Sequence, residues 1–418
     1  MADAGDWRNS LSAAERYENI QRLAKAAAGI MQSAFAVESD AYKNANNREE
    51  YDAACNPSSS RAAVEPDAPA LEAPERDELG SGLGITIGHY QDCHYIASGV
   101  TAEVYRSQAR ALKVIVETHN IEPHDPHREA KILVSLRDDN TPNIIPLLET
   151  FRDGDQRLVL VFPYMPLTLA HLLDQVHSPL SYPLIRHIFT SLFLALSHLH
   201  AQGIIHRDIK PSALLLSAIP TDHHQRQQQQ QQPPPPPPPP PFTFQTYLSD
   251  FGTAYHPLLS AATEPATAKV LDVGTGPYRA PECLFGNRAY TSAADLWAAG
   301  TVLAECVARP RPRPLFDSPP AHEDGNQLGL ILSIFRTIGS PTRETWPEAE
   351  GFRTPPFEMY RVFEGRPWEE VLEGVDDGWR ALVAGLVRYE SGKRVSASEA
   401  LQFPCMKGEG EGEGGGEG

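Results

Sequence analysis

The sequence contains few of the features that would place it in a membrane or in an oxidising compartment. No apolar run approaches the roughly 20 residues that span a bilayer. The five cysteines are scattered and form no Cys-x-x-Cys pair, so the sequence shows no paired-cysteine zinc motif. The N-terminus lacks a basic start followed by an apolar core, so we expect no signal peptide. These absences predict a soluble, reduced protein of the cytoplasm, the nucleus or both, without membrane contact or structural zinc.

Positive charge is also scarce. The 36 lysines and arginines face 54 acidic residues, which gives a formal net charge of −18. This balance argues against a nucleic-acid binder or a basic membrane-surface protein. Part of the acidity lies in residues 65–78 and in a terminal run where glutamate alternates with glycine. The folded part is therefore less acidic than the total charge implies.

The first 60 residues are predicted to form a separate helical extension. Ser12-Ala13-Ala14-Glu15 fits a capping box, and apolar residues then recur at helical spacing. A second helix is predicted over roughly 41–54. One interpretation is a helical hairpin or marginal helix. The other is a module similar to the KIX-type domains of transcriptional coactivators, which predicts a coactivator-type partner for residues 1–60.

Residues 61–84 are predicted to be a disordered linker, because they are rich in proline, alanine and acids and show no periodicity. From Ile85 onward, short apolar runs predict strands, among them 143–148 and 157–162. A helix is predicted to begin at His127. Another is predicted over Pro183–Ala201, ended by a glycine.

Two motifs carry the chemistry. His206-Arg207-Asp208 and Asp250-Phe251-Gly252 each follow an apolar run. Phosphoryl transfer needs one carboxylate beside the attacking hydroxyl and a second that holds magnesium on the phosphates. The two motifs, in this order, resemble the catalytic and magnesium-binding loops of the eukaryotic protein kinases.

The resemblance implies an α+β, bilobal kinase fold with a small, mostly β N-lobe and a large, mostly α C-lobe. It covers residues 89–405, and it implies ATP and Mg²⁺ as cofactors. The expected boundaries are a kinase domain over 85–406, with N-lobe 85–162, hinge 163–165, C-lobe 166–406 and a disordered insert at 219–243, then a disordered Gly/Glu tail over 407–418.

The resemblance also assigns the nucleotide site. Lys113 takes the place of the phosphate-gripping lysine, with Glu129 as its ion-pair partner and Asp250 as the magnesium ligand. Without the resemblance, Lys113 could equally be a snorkelling edge lysine and Glu129 a solvated one. Of the usual glycine-rich loop only Gly99 is present. The other implied nucleotide-binding residues are Ala97, Val104, Ala111, Phe162, Pro163, Met165 and Leu215.

The catalytic group implied by the kinase resemblance is Asp208, Lys210 and Thr275. Asp208 would orient the substrate hydroxyl and accept its proton. Lys210 and Thr275 are typical of the serine/threonine kinases. At the end of the segment that follows the Asp250 motif, Glu282 is expected to pair with Arg394.

The sequence from Tyr278 to Glu282 and the run over 334–347 are similar to the cyclin-dependent-kinase branch. Within it, the likeness is to fungal kinases that activate cyclin-dependent kinases. The expected acceptor is therefore a protein, such as another kinase of cell-cycle or transcription control. A cyclin-like partner is a further expectation, although the helix that holds Glu129 lacks the usual cyclin-binding sequence.

One departure bears on activity. Kinases normally carry an asparagine five residues after the catalytic aspartate, and here that position is Ala213. In one interpretation a single magnesium on Asp250 suffices, with Ser212 or a water replacing the amide oxygen. In the other, the protein is a pseudokinase or scaffold that acts through protein interactions. The charged residues that the resemblance assigns to the nucleotide and catalytic sites are all present, which favours the active interpretation.

A second departure concerns regulation. Val270 stands where cyclin-dependent kinases carry a phosphorylated threonine, five residues before Thr275. We expect Asp272 or Glu264 to supply the negative charge to Arg207 instead, so that no activating kinase is needed.

The stretch from Thr221 to Pro241 is a low-complexity run of glutamines and nine prolines. It lies between two predicted strands of a hairpin. Because each doubling of a surface loop costs only about 0.6 kcal/mol, the hairpin is expected to form despite the insert. A tolerated spacer is the favoured interpretation, with a ligand for SH3- or WW-type domains as the alternative.

Overall fold

The computed structural model describes residues 47–55, 84–99, 101–116, 123–137, 143–218, 244–317, 326–357 and 361–408. The chain divides into two compact units, Met1–Ser81 and Gly82–Gly418. In the first unit the described element is helix α1, Arg48–Ala54, whose N-terminus is capped by the side chain of Asn47. This helix lies within the second predicted helix, while the predicted first helix and the linker lie outside the described residues.

The second unit begins with a six-stranded antiparallel sheet. Its strands are β1 Ile85–Ile87, β2 Tyr90–Ser98, β3 Ala102–Ser107, β4 Arg110–Ile115, β5 Glu149–Arg152 and β6 Leu158–Pro163. They lie in the order β1-β2-β3-β4-β6-β5, and one helix, α2 (Pro126–Arg137), follows β4 in the chain.

The two faces of the sheet have different neighbours because successive side chains of a strand point to opposite sides. On β6, Val159 and Val161 join a small cluster with Leu112 and Val114 of β4. Leu160, between them, belongs to the larger core, which also includes Ile132 and other apolar residues of α2. The sheet is thereby attached to the rest of the unit through α2.

The remainder is mostly helical, as expected for the larger lobe. Its central helix α6, Ala293–Val307, is mostly apolar and every residue of it is buried, as is typical of a helix inside a core. The helices are α3 Leu169–Gln175, α4 Tyr182–Ala201, α5 Pro281–Leu284, α6 Ala293–Val307, α7 Asn326–Ile338, α8 Trp368–Val371, α9 Asp377–Leu386, α10 Ala397–Ala400 and α11 Pro404–Lys407.

A second, three-stranded sheet lies at the catalytic motifs. It contains β7 (Leu167–Thr168), β8 (Leu214–Ala218) and β9 (Phe244–Leu248). The last two pair antiparallel from Leu214↔Leu248 to Ala218↔Phe244, so the predicted hairpin is present. The insert that joins these strands lies outside the described residues.

Two of the predicted elements differ from the observed ones. Helix α4 begins at Tyr182, one residue before the predicted start. The predicted strand over 143–148 was wrong: Ile144 forms an isolated bridge to Leu248, and the sheet strand begins at Glu149. Pro146 explains the difference, because proline has no backbone N–H to donate to a ladder.

None of the helices in the described ranges combines the length and hydropathy needed to span a membrane. All five cysteines are buried thiols.

Candidate active site

The strand–helix ion pair expected of Lys113 is present. Lys113 lies on β4 between the buried Leu112 and Val114. Its Nζ lies 2.9 and 2.8 Å from the two carboxylate oxygens of Glu129 on α2. The same Nζ lies 3.4 Å from Oδ1 of Asp250. One ammonium group therefore connects the sheet, the helix and the magnesium-type motif.

The charges of this group reinforce one another. Burial alone would lower the pKa of Lys113, but the carboxylates of Glu129 and Asp250 raise it above its ordinary value. Burial raises the pKa of Glu129, which is 2 % exposed, against the opposing effect of the lysine. Partial burial alone would also raise the pKa of Asp250, but Lys113 and Lys210 lower it to about 2. Asp250 is therefore ionised at neutral pH.

The backbone of the Asp250 motif is shaped to expose that carboxylate. Asp250 has φ 65°, in the left-handed region that non-glycine residues seldom adopt. Phe251 is buried and packs against the ring of His206, with ring centroids 4.8 Å apart. A Cβ on Gly252 would lie 3.5 Å from Oε2 of Glu129 and 3.7 Å from Nζ of Lys113. These are ordinary van der Waals distances, so the ion-pair network lies in direct contact with this position without requiring glycine there.

The predicted catalytic group is brought together on the other side of Asp250. Oγ1 of Thr275 donates to Oδ1 of Asp208 at 2.6 Å. Nζ of Lys210 contacts the other oxygen of Asp208 and lies 3.8 Å from Oδ2 of Asp250. Although burial alone would lower the pKa of Lys210, the carboxylates of Asp208 and Asp250 raise it.

The loop that carries Asp208 is held in place by Asp295, near the start of α6. Its carboxylate accepts the backbone N–H of His206 at 2.9 Å and that of Arg207 at 2.8 Å. Nε2 of His200 lies 2.9 Å from the same carboxylate. Arg207 itself has φ 71°, so these bonds hold the loop in an unfavourable backbone conformation next to Asp208.

At the position expected for a second metal ligand, Ala213 is 1 % exposed. Its carbonyl oxygen accepts from the N–H and from Oγ of Ser249, each at 2.9 Å. Its methyl group offers no ligand atom, and Ser212 is exposed. Hard oxygen ligands suit Mg²⁺, which proteins often hold through one or two carboxylates together with substrate phosphates, and Asp250, whose side chain is 46 % exposed, would supply such a carboxylate here. The residues present therefore fit one magnesium ion.

Strand register places five of the predicted nucleotide-site residues, Ala97, Val104, Ala111, Lys113 and Phe162, on the same face of the sheet. Ala97 pairs with Val104, Val104 with Lys113, and Ala111 with Phe162. The N–H of Gly99 donates to the carbonyl oxygen of Ala102 at 2.8 Å, which closes the β2–β3 turn. Val104, Ala111, Phe162, Pro163, Met165 and Leu215 are partly buried, whereas Ala97 and Gly99 are exposed.

The segment that follows the magnesium-type motif ends in a fully buried ion pair. Arg394 donates from Nη1 and Nη2 to the two oxygens of Glu282, at 2.6 and 2.7 Å. Both side chains are completely buried. The pairing expected from the sequence is therefore present.

Of the two carboxylates expected to serve Arg207, the structure brings Glu264 to it. Glu264 contacts Nη1 of Arg207 and is 1 % exposed. Asp272 pairs instead with Arg279 at 2.7 Å and is 78 % exposed. Sequence reasoning left the two open, since both lie in a segment without regular structure.

Sequence reasoning missed His124. This residue precedes Asp125, whose N–H donates to the carbonyl oxygen of Gly252 at 3.0 Å. Burial lowers the pKa of His124, and the opposing charges of Asp250 and Lys113 also act on it. A single histidine outside any motif gives no signal of this position in the sequence.

Comparisons with known proteins also indicate a protein kinase. The protein kinase domain family matches residues 90–406. The chain is 28% identical over 334 residues to the serine/threonine-protein kinase csk1 of Schizosaccharomyces pombe, covering 76% of this chain and 96% of that protein. It is also 28% identical over 325 residues to cyclin-dependent kinase 7 of Carassius auratus, covering 75% and 81%.

Proposed function

The chain belongs to the protein kinase family, and on that premise we propose that it is an active serine/threonine kinase that phosphorylates other kinases. The observation that carries the proposal is the continuous set of charged contacts in the cleft. Lys113 contacts Glu129 and Asp250, and Lys210 contacts Asp208 and lies near Asp250. Groups whose shared purpose is phosphoryl transfer thus lie within ion-pair distance of one another.

The proposed mechanism assigns each residue a role. ATP bound with Mg²⁺ supplies the phosphoryl group, and we propose that Lys113 holds its phosphates and that Asp250 ligates the metal. Glu129 keeps the lysine in place. Asp208 orients the substrate hydroxyl and accepts its proton, while Lys210 neutralises charge on the transferred group. Thr275 fixes one oxygen of Asp208, so that the other side of the carboxylate faces the cleft near Lys210.

We also propose the boundaries and the nucleotide contacts expected from the sequence. The kinase domain spans 85–406, with its hinge at 163–165. The adenine end of the nucleotide lies against Ala111, Phe162 and Leu215. The backbone of Pro163 and Met165 supplies the hydrogen bonds, because adenine presents both a donor and an acceptor on its edge.

The acceptor is proposed from the sequence likeness to fungal kinases that activate cyclin-dependent kinases. One relative is named a cyclin-dependent kinase and the other a serine/threonine-protein kinase, and both span most of this chain. We propose a kinase of the cyclin-dependent type as the protein substrate. A cyclin-like partner remains part of this proposal.

A second candidate function rests on Ala213. A buried methyl group replaces the expected metal ligand, which favours a pseudokinase or scaffold that binds partners without transferring phosphate. Loss of an outer-shell partner of a metal ligand typically lowers affinity or activity about 10- to 100-fold. The active kinase is preferred because Lys113, Glu129, Asp208, Lys210 and Asp250 are all present.

The test uses the purified full chain with magnesium and ATP, and an inactive cyclin-dependent kinase as acceptor. Asp208→Asn is the matched control, since it keeps the shape of the side chain. We expect phosphate on the acceptor with the wild type and little with the variant. Equal labelling by both proteins would remove the enzymatic proposal. Labelling of a general peptide but not of the kinase would remove only the proposed acceptor.

A further inference from the structure

Glu264 is a buried carboxylate outside every motif described above. It is 1 % exposed, in a segment whose turns are formed by backbone hydrogen bonds such as that from its own N–H to the carbonyl oxygen of Ser260 at 2.8 Å. A carboxylate is kept in such a place only when charged or polar partners compensate for the lost water. Its partners therefore define what it does.

The first partner is the catalytic loop. Oε1 of Glu264 contacts Nη1 of Arg207, the residue directly before Asp208. Arg207 also donates from Nε to the carbonyl oxygen of Thr253 at 2.5 Å and from Nη1 to the hydroxyl of Tyr290 at 3.2 Å. Thr253 follows directly on the Asp250 motif. The guanidinium thus connects both catalytic motifs to Glu264.

The second partner is the segment itself. Oε1 of Glu264 accepts the backbone N–H of Val270 at 2.7 Å. This bond closes the chain between 264 and 270 into a loop held on Arg207. Thr275, which donates to Asp208, lies five residues beyond Val270.

The third partner belongs to the helix that supports the lysine. Oε2 of Glu264 lies 4.0 Å from Nη1 of Arg128, the residue directly before Glu129. Arg128 also donates from Nη2 to the carbonyl oxygen of Pro123 at 2.5 Å. Glu264 therefore lies between Arg207 and Arg128, the residues that directly precede Asp208 and Glu129 in the sequence.

The local charge shows that this carboxylate is needed. Arg207 and Arg128 are both buried, and Glu264 lies within ion-pair distance of each, while Arg128 also lies 4.0 Å from Asp125. Lys269 is buried close by, where burial lowers its pKa. A buried charge left without its partner is strongly destabilising. Without Glu264, the positive groups would repel one another at the junction of the helix, the loop and the segment.

We propose that Glu264 is a positioning residue that does permanently what a phosphate added to this segment would do. Its carboxylate interacts with Arg207, Arg128 and the backbone N–H of Val270. These interactions position Asp208, Glu129 and Thr275 for phosphoryl transfer. Val270 has no hydroxyl to phosphorylate, so the segment is ordered as synthesised. This inference rests on the proposed function, because the arrangement it describes is that of the phosphoryl-transfer site.

The test compares three variants of the full chain with the wild type. Glu264→Gln removes the charge and keeps the shape, Glu264→Asp keeps the charge, and Asp272→Asn removes the exposed acid of the same segment. For Glu264→Gln we expect kcat to fall about 10- to 100-fold, the range for losing an orienting partner, with the KM for ATP within about 2-fold. Glu264→Asp should recover part of kcat, and Asp272→Asn should match the wild type. A wild-type kcat in Glu264→Gln would overturn the proposal.

A second measurement does not depend on whether the variants fold. Wild-type protein is treated with phosphatase until mass spectrometry shows no phosphate, and its kcat is measured again. We expect no change, whereas a large loss would show that an added phosphate orders the segment and would overturn the proposal.

Hydrogen exchange separates this inference from the proposed function. The N–H of Val270 should exchange slowly in the wild type and faster in Glu264→Gln, even if the wild type transfers no phosphate. A wild type that protects Val270 but lacks transfer would contradict the proposed function alone. Equal exchange in both proteins would contradict the positioning role alone.

Discussion

The segment from Asp250 to Glu282 contributes the acid of two buried acid–arginine pairs, and the pairs differ in how completely their hydrogen bonds are satisfied. Both oxygens of Glu282 accept from Arg394, whose guanidinium also donates to the carbonyl oxygens of Arg388, Ala293 and Tyr389. In the other pair, Oε2 of Glu264 and Nη2 of Arg207 have no hydrogen-bond partner within the part of the chain that the structure describes.

The difference separates two uses of the same chemistry. A fully satisfied buried pair has a single favourable arrangement and is costly to break, which suits a permanent connection between the segment and the large lobe. A pair with unsatisfied atoms holds its surroundings less firmly. It suits the middle of a segment that must position catalytic groups without fixing the whole fold.

The largest expected effect comes from breaking the satisfied pair. Glu282→Gln leaves the buried Arg394 charge without its partner, so the free energy of unfolding should fall by about 3–5 kcal/mol. Glu264→Gln should cost about 1–3 kcal/mol, because Glu264 makes a single contact to Arg207, whereas Glu282 accepts two bonds from Arg394. Urea denaturation of the two variants measures both values.

The control for this pair of variants is activity per folded molecule. Glu282→Gln should keep most of its kcat at a temperature where it is folded, whereas Glu264→Gln should not. If both variants lose stability and activity to the same extent, the distinction between the two pairs fails.

The next effect concerns the missing metal ligand. Ala213→Asn restores an amide oxygen beside the magnesium-type motif, so kcat at low free Mg²⁺ should rise about 10-fold. Ala213→Leu is the matched control, with a similar shape and no oxygen. Activity titrated against free Mg²⁺ measures the effect, and an asparagine variant no better than the leucine variant would mean that the site does not use a second ion.

The smallest effect concerns the partly exposed ion pairs of the cleft, as opposed to the two buried pairs. The pKa of Asp250 is lowered to about 2 in the folded state. A lowered pKa means that the ionised form stabilises the fold. This contribution is complete above about pH 4, the range of an ordinary aspartate, and is lost as the pH falls through 2. The difference in urea midpoint between wild type and Asp250→Asn should be constant from about pH 8 to 5 and narrow below about pH 4.

A difference in midpoint that already narrows between pH 7 and 5 would contradict the lowered pKa. It would mean that Lys113 and Lys210 do not hold the carboxylate in its charged form.

Much of the fold and the pairings in the site could be predicted because they follow from local patterns or from family motifs. The bilobal fold was confirmed, and Lys113 with Glu129 and Glu282 with Arg394 lie where the sequence analysis expected them. The strand predicted over 143–148 was wrong. The apolar run indicated a strand, although Pro146 has no backbone N–H to donate to a neighbouring strand. The catalytic and nucleotide-binding roles of the site residues stay predictions until activity is measured.

The choice between Glu264 and Asp272 could not be made from the sequence. Both acids lie in the same irregular segment, and only its path through space decides which one meets Arg207. His124 was missed for a related reason, since its position depends on how the loop before α2 crosses the Asp250 motif.

The most direct test of the account is single-turnover transfer of the γ-phosphate from ATP, with magnesium, to a degenerate serine/threonine peptide. The wild type and Asp208→Asn are compared after calorimetry has shown that both bind ATP. Since a general base contributes about 100- to 10,000-fold, the account predicts transfer by the wild type at least about 100-fold faster than by the variant. A wild type that binds ATP and transfers no faster than Asp208→Asn would contradict it.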